Sequence, residues 1–214
     1  MQIAFVLYPG FTALDALGPY EFLKMIPNAD IRFVAGTKGP ITTDRGFLIV
    51  EATHTFDDTP APDILLVPGS EAETGTAMRD THLLNWLKKT HQTTKWTTSV
   101  CSGSLVLAAA GILKDHPATS HWIAQDTLEK FGARPQRHDR VVQSGKIWTA
   151  AGVSAGLDLA LTLLIDIVGQ EQAEVIQLLL EYDPRPPLNA GHPDTASAAT
   201  FARARAEMMA LSEK

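Results

Sequence analysis

Cysteine is almost absent from this chain. Cys101 is the one cysteine in 214 residues. No internal disulfide can form, which fits a reducing, cytoplasmic setting. Positive charge is also scarce: 18 lysines and arginines face 24 aspartates and glutamates, a formal net charge of -6. With no basic field to hold a phosphate backbone, nucleic acid is not an expected partner. No apolar run reaches the length of about 18 residues that a spanning helix needs, so no membrane role is expected. The N-terminus lacks a charged leader region and a small-residue cleavage site and reads as a core strand. Neither a G-x-G-x-x-G turn nor a P-loop occurs. The seven histidines form no H-x-x-x-H or Cys/His cluster, so no metal or organic cofactor is expected.

What is present is an ordinary globular balance, with 45% hydrophobic and 20% charged residues, and the length suggests one domain spanning 1–214. Residues 2–7 form a short, nearly all-apolar run of the kind buried on both faces of a parallel sheet. Further strands are expected at 31–35, at the buried run 64–67 and at 96–100, and a strand pair at 141–149. Helical patterns lie between and after them, at 13–25, 82–90, 102–110, 122–131, 157–168 and 171–180. The first of these is expected to break at Gly18-Pro19. A hairpin excursion is expected around Asp44-Arg45-Gly46. Residues 182–194 read as irregular, and 196–211 as a surface helix. Strands alternating with helices predict an α/β fold, a parallel sheet with helices on both faces.

In such sheets, sites form at the carboxyl ends of strands. Three ends carry candidate chemistry. Cys101 follows the strand at 96–100 directly, and the small residues Ser102-Gly103-Ser104 open the next helix. That is a nucleophile-elbow pattern. A helix N-terminus there favours thiolate over thiol, and the Ser102 N–H can meet a developing negative charge. The alternative is an inert core cysteine. Gly69-Ser70, after the strand at 64–67, can bring a second N–H to the pocket or simply end the strand. Asp15 lies among apolar residues, where desolvation favours its protonated form, ready to act as an acid. It can equally cap a helix. His121 can orient or activate Cys101, or cap the helix it precedes.

The stretches Leu14-Asp15-x-x-Gly18-Pro19, Val67-Pro68-Gly69, Ser99-Val100-Cys101-Ser102-Gly103-Ser104, Thr119-Ser120-His121-Trp122 and Gly152-Val153-Ser154-Ala155-Gly156-x-Asp158 resemble the PfpI-type branch of the class I glutamine amidotransferase-like superfamily. Leu180-Glu181-Tyr182-x-Pro184-x-Pro186-Pro187 is similar to its isonitrile-hydrating subgroup. The resemblance runs from the first strand to about residue 197. It implies a flavodoxin-like three-layer α/β/α sandwich, usually a homodimer. It also implies hydration of a small-molecule isonitrile to an N-substituted formamide. Cys101 matches the nucleophile, Asp15 the acid, and Ser102 a position usually held by threonine. The resemblance also puts Gly69, Ser70, His121 and Gly152 around the pocket. Ser70 and Ala150-Ala151 stand where the pattern has glycine. The mechanism expected is attack by Cys101 with a proton from Asp15, a thioimidate, then water. Competing readings share the fold: a glyoxalase-like enzyme, a peptidase, the ligand-sensing part of a transcription regulator, or a redox sensor. Against the peptidase, the residue after the cysteine is Ser102 rather than histidine. Against the regulator, only one helix is expected after Thr195 before Lys214.

Overall fold

A computed structural model describes residues 1–212, leaving Glu213 and Lys214, the end of the expected domain span, outside the described residues. Strand β1 (Gln2–Val6) leads to α1 (Ala13–Leu23) and β2 (Asp30–Ala35). The expected hairpin follows as antiparallel β3 (Gly39–Thr42) and β4 (Ile49–Ala52), joined by a tight turn in which Arg45 has φ 61°. Next come β5 (His54–Thr55), β6 (Ile64–Val67), α2 (Thr74–Ala77), α3 (Thr81–His91), β7 (Trp96–Val100) and α4 (Gly103–Ala109). A small parallel ribbon of β8 (Pro117–Ala118) and β9 (Arg134–Pro135) brackets α5 (Gln125–Lys130). The chain then returns to the main sheet as β10 (Val141–Ser144) and β11 (Ile147–Ala150), and ends in α6 (Ala155–Val168), α7 (Gln170–Leu179) and α8 (Ala198–Ser212).

The main sheet has seven strands in the order β10-β11-β7-β6-β1-β2-β5. Every pairing is parallel except β10 with β11. Side chains alternate across it with period two. Ile3, Phe5, Ile64 and Leu66 pack with α1, α6 and α7, while Ala4, Val6, Leu65 and Val67 pack with α3, α4 and α5. Covering both faces is why these strands are apolar throughout. The result is the three-layer α/β/α sandwich of the flavodoxin-like type.

One expectation fails. Pro19 does not break the first helix, and α1 runs through it from Ala13 to Leu23. A proline inside a helix forfeits one hydrogen bond and crowds the preceding turn, at about 3 kcal/mol in isolation. Packing offsets this. Gly18 and Pro19 are buried, and α1 lies so close to α6 that a methyl group at Gly156 would sit 3.2 Å from Pro19 Cγ. The segment at 122–131 also begins differently, with a 3-10 turn over Trp122–Ala124 before α5. Strands β5, β8 and β9 and helix α2, each two to four residues long, are too short to leave a periodic signal.

Candidate active site

Strands β1, β6 and β7 are neighbours, so the loops at their carboxyl ends open on one edge. Asp15, Gly69-Ser70 and Cys101 meet there. Cys101 sits at φ 57°, a left-handed conformation that costs a non-glycine residue roughly 1 kcal/mol. The turn is held from several sides. The Cys101 N–H donates to the Ala151 carbonyl at 2.9 Å. The Cys101 carbonyl accepts from the hydroxyls of Ser120 at 3.0 Å and Ser104 at 3.3 Å. Glycine follows because α4 starts hard against the end of β6: a Cβ on Gly103 would lie 2.8 Å from the Pro68 carbonyl carbon.

Asp15 is fully buried. Its Oδ2 accepts the Gly69 N–H at 2.8 Å, while Oδ1 is buried with no hydrogen-bond partner. It caps no helix; Thr12 holds the N-cap position of α1. Burial raises its pKa to about 7, against the stabilising Gly69 N–H; the Asp44 carboxylate adds to the rise, and a hydrogen bond from the Cys101 side chain opposes it.

The thiol does not follow the expectation of a depressed pKa. Burial, then the Asp15 charge, push Cys101 well above the usual thiol range. The N–H groups of Val153 and Ser102 and the Ser102 hydroxyl pull the other way without prevailing. Asp15 and Cys101 are best taken as one coupled acid pair.

Ser102 and Ser70 differ from their expected parts. The Ser70 N–H donates to Ser102 Oγ at 3.1 Å, and Ser70 Oγ donates to the Gly10 carbonyl at 2.6 Å. With the Gly69 N–H on Asp15, neither N–H of this turn is left for an oxyanion. Ser102 Oγ also lies 2.7 Å from Thr74 Oγ1. The three loops touch so closely that Gly69 admits no side chain: a Cβ would lie 2.6 Å from Ser102 Oγ and 3.0 Å from Asp15 Oδ2. Gly69→Ala is expected to destabilise the fold by about 2 kcal/mol and to displace Asp15. Thermal unfolding beside an activity assay checks both effects, and an unchanged melting temperature contradicts this packing.

His121 takes the capping role, its Nδ1 accepting the Ile123 N–H at 3.4 Å. Burial lowers its pKa, which favours the neutral ring. Among the described residues it makes no hydrogen bond to Cys101. Gly152 gives the ring room, since a Cβ there would lie 2.6 Å from His121 Cδ2. Cys101, Ser102, Ser70 and His121 line a cavity of about 670 Å³. Asp15, Gly69 and Gly152 are not part of its wall. Sequence reasoning missed four contributors. Val153 and Ser120 lie inside motifs quoted above but carry no mark of their function. Thr74 lies on the four-residue α2. Tyr8, whose hydroxyl donates to the Pro68 carbonyl at 2.9 Å, has its pKa raised first by burial and then by the Asp15 and Cys101 charges. Away from the cavity wall, His138, His192 and Asp194 could together hold a metal ion. His138 Nδ1 there pairs with Asp194 Oδ2 at 2.8 Å.

Residues 1–165 match the model of the DJ-1/PfpI family. The chain belongs to the DJ-1/PfpI family. Within that family it is 42% identical to an isonitrile hydratase of Pseudomonas putida over 205 residues, 96% of this chain and 89% of that one. It superposes on the crystal structure of a ThiJ/PfpI family protein from Pseudomonas syringae with a TM-score of 0.94 at 39% identity, covering 99% and 87% of the two chains. It is also 27% identical to the HTH-type transcriptional regulator CdhR of Pseudomonas aeruginosa, of which it spans 51%.

Proposed function

We propose that this DJ-1/PfpI protein is an isonitrile hydratase that works through a covalent thioimidate on Cys101. The observation that carries the reading is the pairing of a strained, buried Cys101 with a buried carboxyl group whose pKa is raised to about 7. The Pseudomonas putida relative supplies the substrate class. An isonitrile carbon has to gain a nucleophile and a proton on the same atom. The pair offers both once it has lost one proton, because the remaining proton can sit on Asp15 while the charge sits on sulfur.

In the first step the Cys101 sulfur bonds to the terminal carbon of R–N≡C and the Asp15 proton goes to that carbon, giving Cys101–S–CH=N–R. Asp15, now a carboxylate, takes a proton from water as the oxygen attacks. Asp15 passes that proton on to nitrogen, the C–S bond breaks as the hydroxyl proton moves to sulfur, and HC(=O)–NH–R leaves with the thiol restored and the pair again holding one proton. Charge on sulfur is stabilised by the N–H groups of Val153 and Ser102. Gly69 fixes Asp15, Ser102 and Ser70 tie the loops, and His121 forms part of the wall, with Gly152 behind it leaving its ring room. No cofactor takes part.

Rapid acid quench of the turning-over enzyme is expected to yield protein heavier by one whole isonitrile, on the peptide that contains Cys101. Full turnover with no adduct at any time contradicts the covalent route. The exposed Val175, Leu178 and Leu179 of α7 and Ile165 of α6 support a homodimer, and the buried thiol suits a reducing cytoplasm. Among the described residues, no helix is long and apolar enough to cross a membrane.

A further inference from the structure

Helix α8 joins neither hydrophobic core. It meets the body along one stripe, Phe201, Ala204, Met208 and Leu211, which are half-buried while the residues between them are exposed. Those spacings trace one face of a helix. The Phe201 ring packs on Trp122 at 5.1 Å between centroids, beside His121. Two turns further on, Met208 and Met209 enter the wall of the cavity that holds Cys101. Leu105, Ile123 and Ala124 extend the apolar part of that wall; Ser102 and Thr74 beside the thiol are polar, and Glu71, Glu73 and Arg79 line the cavity as well. A docking helix that served stability alone would bury its largest apolar side chains in the core. These two methionines instead present theirs to the cavity.

We propose that α8 roofs the substrate cavity and that Met208 and Met209 are specificity-determining residues that select a bulky, apolar N-substituent. The substrate class rests on the hydratase reading; the roof itself concerns only what reaches Cys101. Ser102 and Thr74 sit with the reacting carbon, and the substituent extends under the methionines. Thioether side chains are flexible and polarisable and adapt to varied apolar shapes. Each methylene of the substituent that they bury favours binding by about fourfold.

Cys101 is the sole cysteine, so alkylation reads access to it without any isonitrile. The test compares N-cyclohexylmaleimide with N-methylmaleimide by intact mass, each rate divided by the rate with a free thiol. Wild-type protein is expected to favour the cyclohexyl reagent. The double variant Met208→Ala/Met209→Ala is expected to cut that preference by about tenfold, and Met208→Leu/Met209→Leu to keep it. The same preference in wild type and the alanine variant overturns the proposal, as does a wild-type protein that neither reagent labels. In the hydratase assay the alanine variant is expected to raise KM for cyclohexyl isonitrile by about tenfold more than KM for methyl isonitrile. If maleimide selectivity changes as expected but no isonitrile is consumed, the roof stands and the hydratase reading falls.

Discussion

Cys101→Ala is expected to lower isonitrile turnover by at least about 10⁴-fold, since removal of a nucleophile leaves only binding and positioning. The fold is expected to survive. The backbone at position 101 is held through its own N–H and carbonyl, by Ala151, Ser104 and Ser120, and these bonds do not involve the sulfur. The variant also removes the thiol that holds the Asp15 pKa down. Cys101→Ser keeps a hydroxyl in place but offers a far weaker nucleophile, so it is expected to be as inactive as alanine. Steady-state kinetics beside circular dichroism checks this. Turnover within tenfold of wild type in either variant removes Cys101 from the chemistry.

Asp15→Asn carries the second large effect, and it has two opposed parts. Turnover is expected to fall about 10²- to 10⁴-fold, the usual scale of general acid-base assistance. In the wild type, burial raises the first proton loss of the Asp15-Cys101 pair to about pH 7, and in the proposed mechanism the singly ionised pair is the reactive form. Log kcat/KM therefore rises with unit slope below about pH 7 and levels off above it. The second ionisation lies far higher, because burial and the Asp15 charge push the thiol up. Asp15→Asn is expected to abolish that inflection, whereas loss of rate with the same inflection would assign it to another group.

Stability moves the other way. The folded-state pKa of Asp15 is raised from 3.8 to about 7, so between those values the folded protein holds more protons than the unfolded chain. Stability accordingly declines as pH rises from about 4 to about 7, and the full cost is present above that range. At 1.36 kcal/mol per pKa unit, the burden at pH 8 is on the order of 4 kcal/mol. Asparagine carries no charge and can still accept the Gly69 N–H. Asp15→Asn is therefore expected to melt higher than wild type at pH 8 and about equally at pH 4.

The three strand ends were legible because β1 and β6 are short apolar runs followed by Pro-Gly, and Trp96–Val100 runs straight into a Cys followed by small residues. The raised pKa of Asp15 was legible as well, since its neighbours Leu14, Ala16 and Leu17 announce desolvation. The state of Cys101 was not. A helix N-terminus is visible in a local pattern, but the burial and the carboxyl group that outweigh it come from α1, far away in the chain. Pro19 misled for the same reason: the cost of a helical proline is local, while the packing on Gly156 that offsets it is tertiary. The N–H assigned to the Gly69-Ser70 turn was misassigned because its partners, Asp15 Oδ2 and Ser102 Oγ, lie on other loops. Helix α8 was legible as a surface helix. Its place over the cavity was not, because alanines around most of its circumference blur the stripe of Phe201, Ala204, Met208 and Leu211.

The most direct test of the account is to incubate the wild-type protein with cyclohexyl isonitrile and follow N-cyclohexylformamide by proton NMR. The account predicts catalytic conversion, one formamide for each isonitrile consumed, with no added metal or cofactor. An isonitrile left unconsumed between pH 6 and 9, by protein whose Cys101 is shown to be a free thiol, would contradict it.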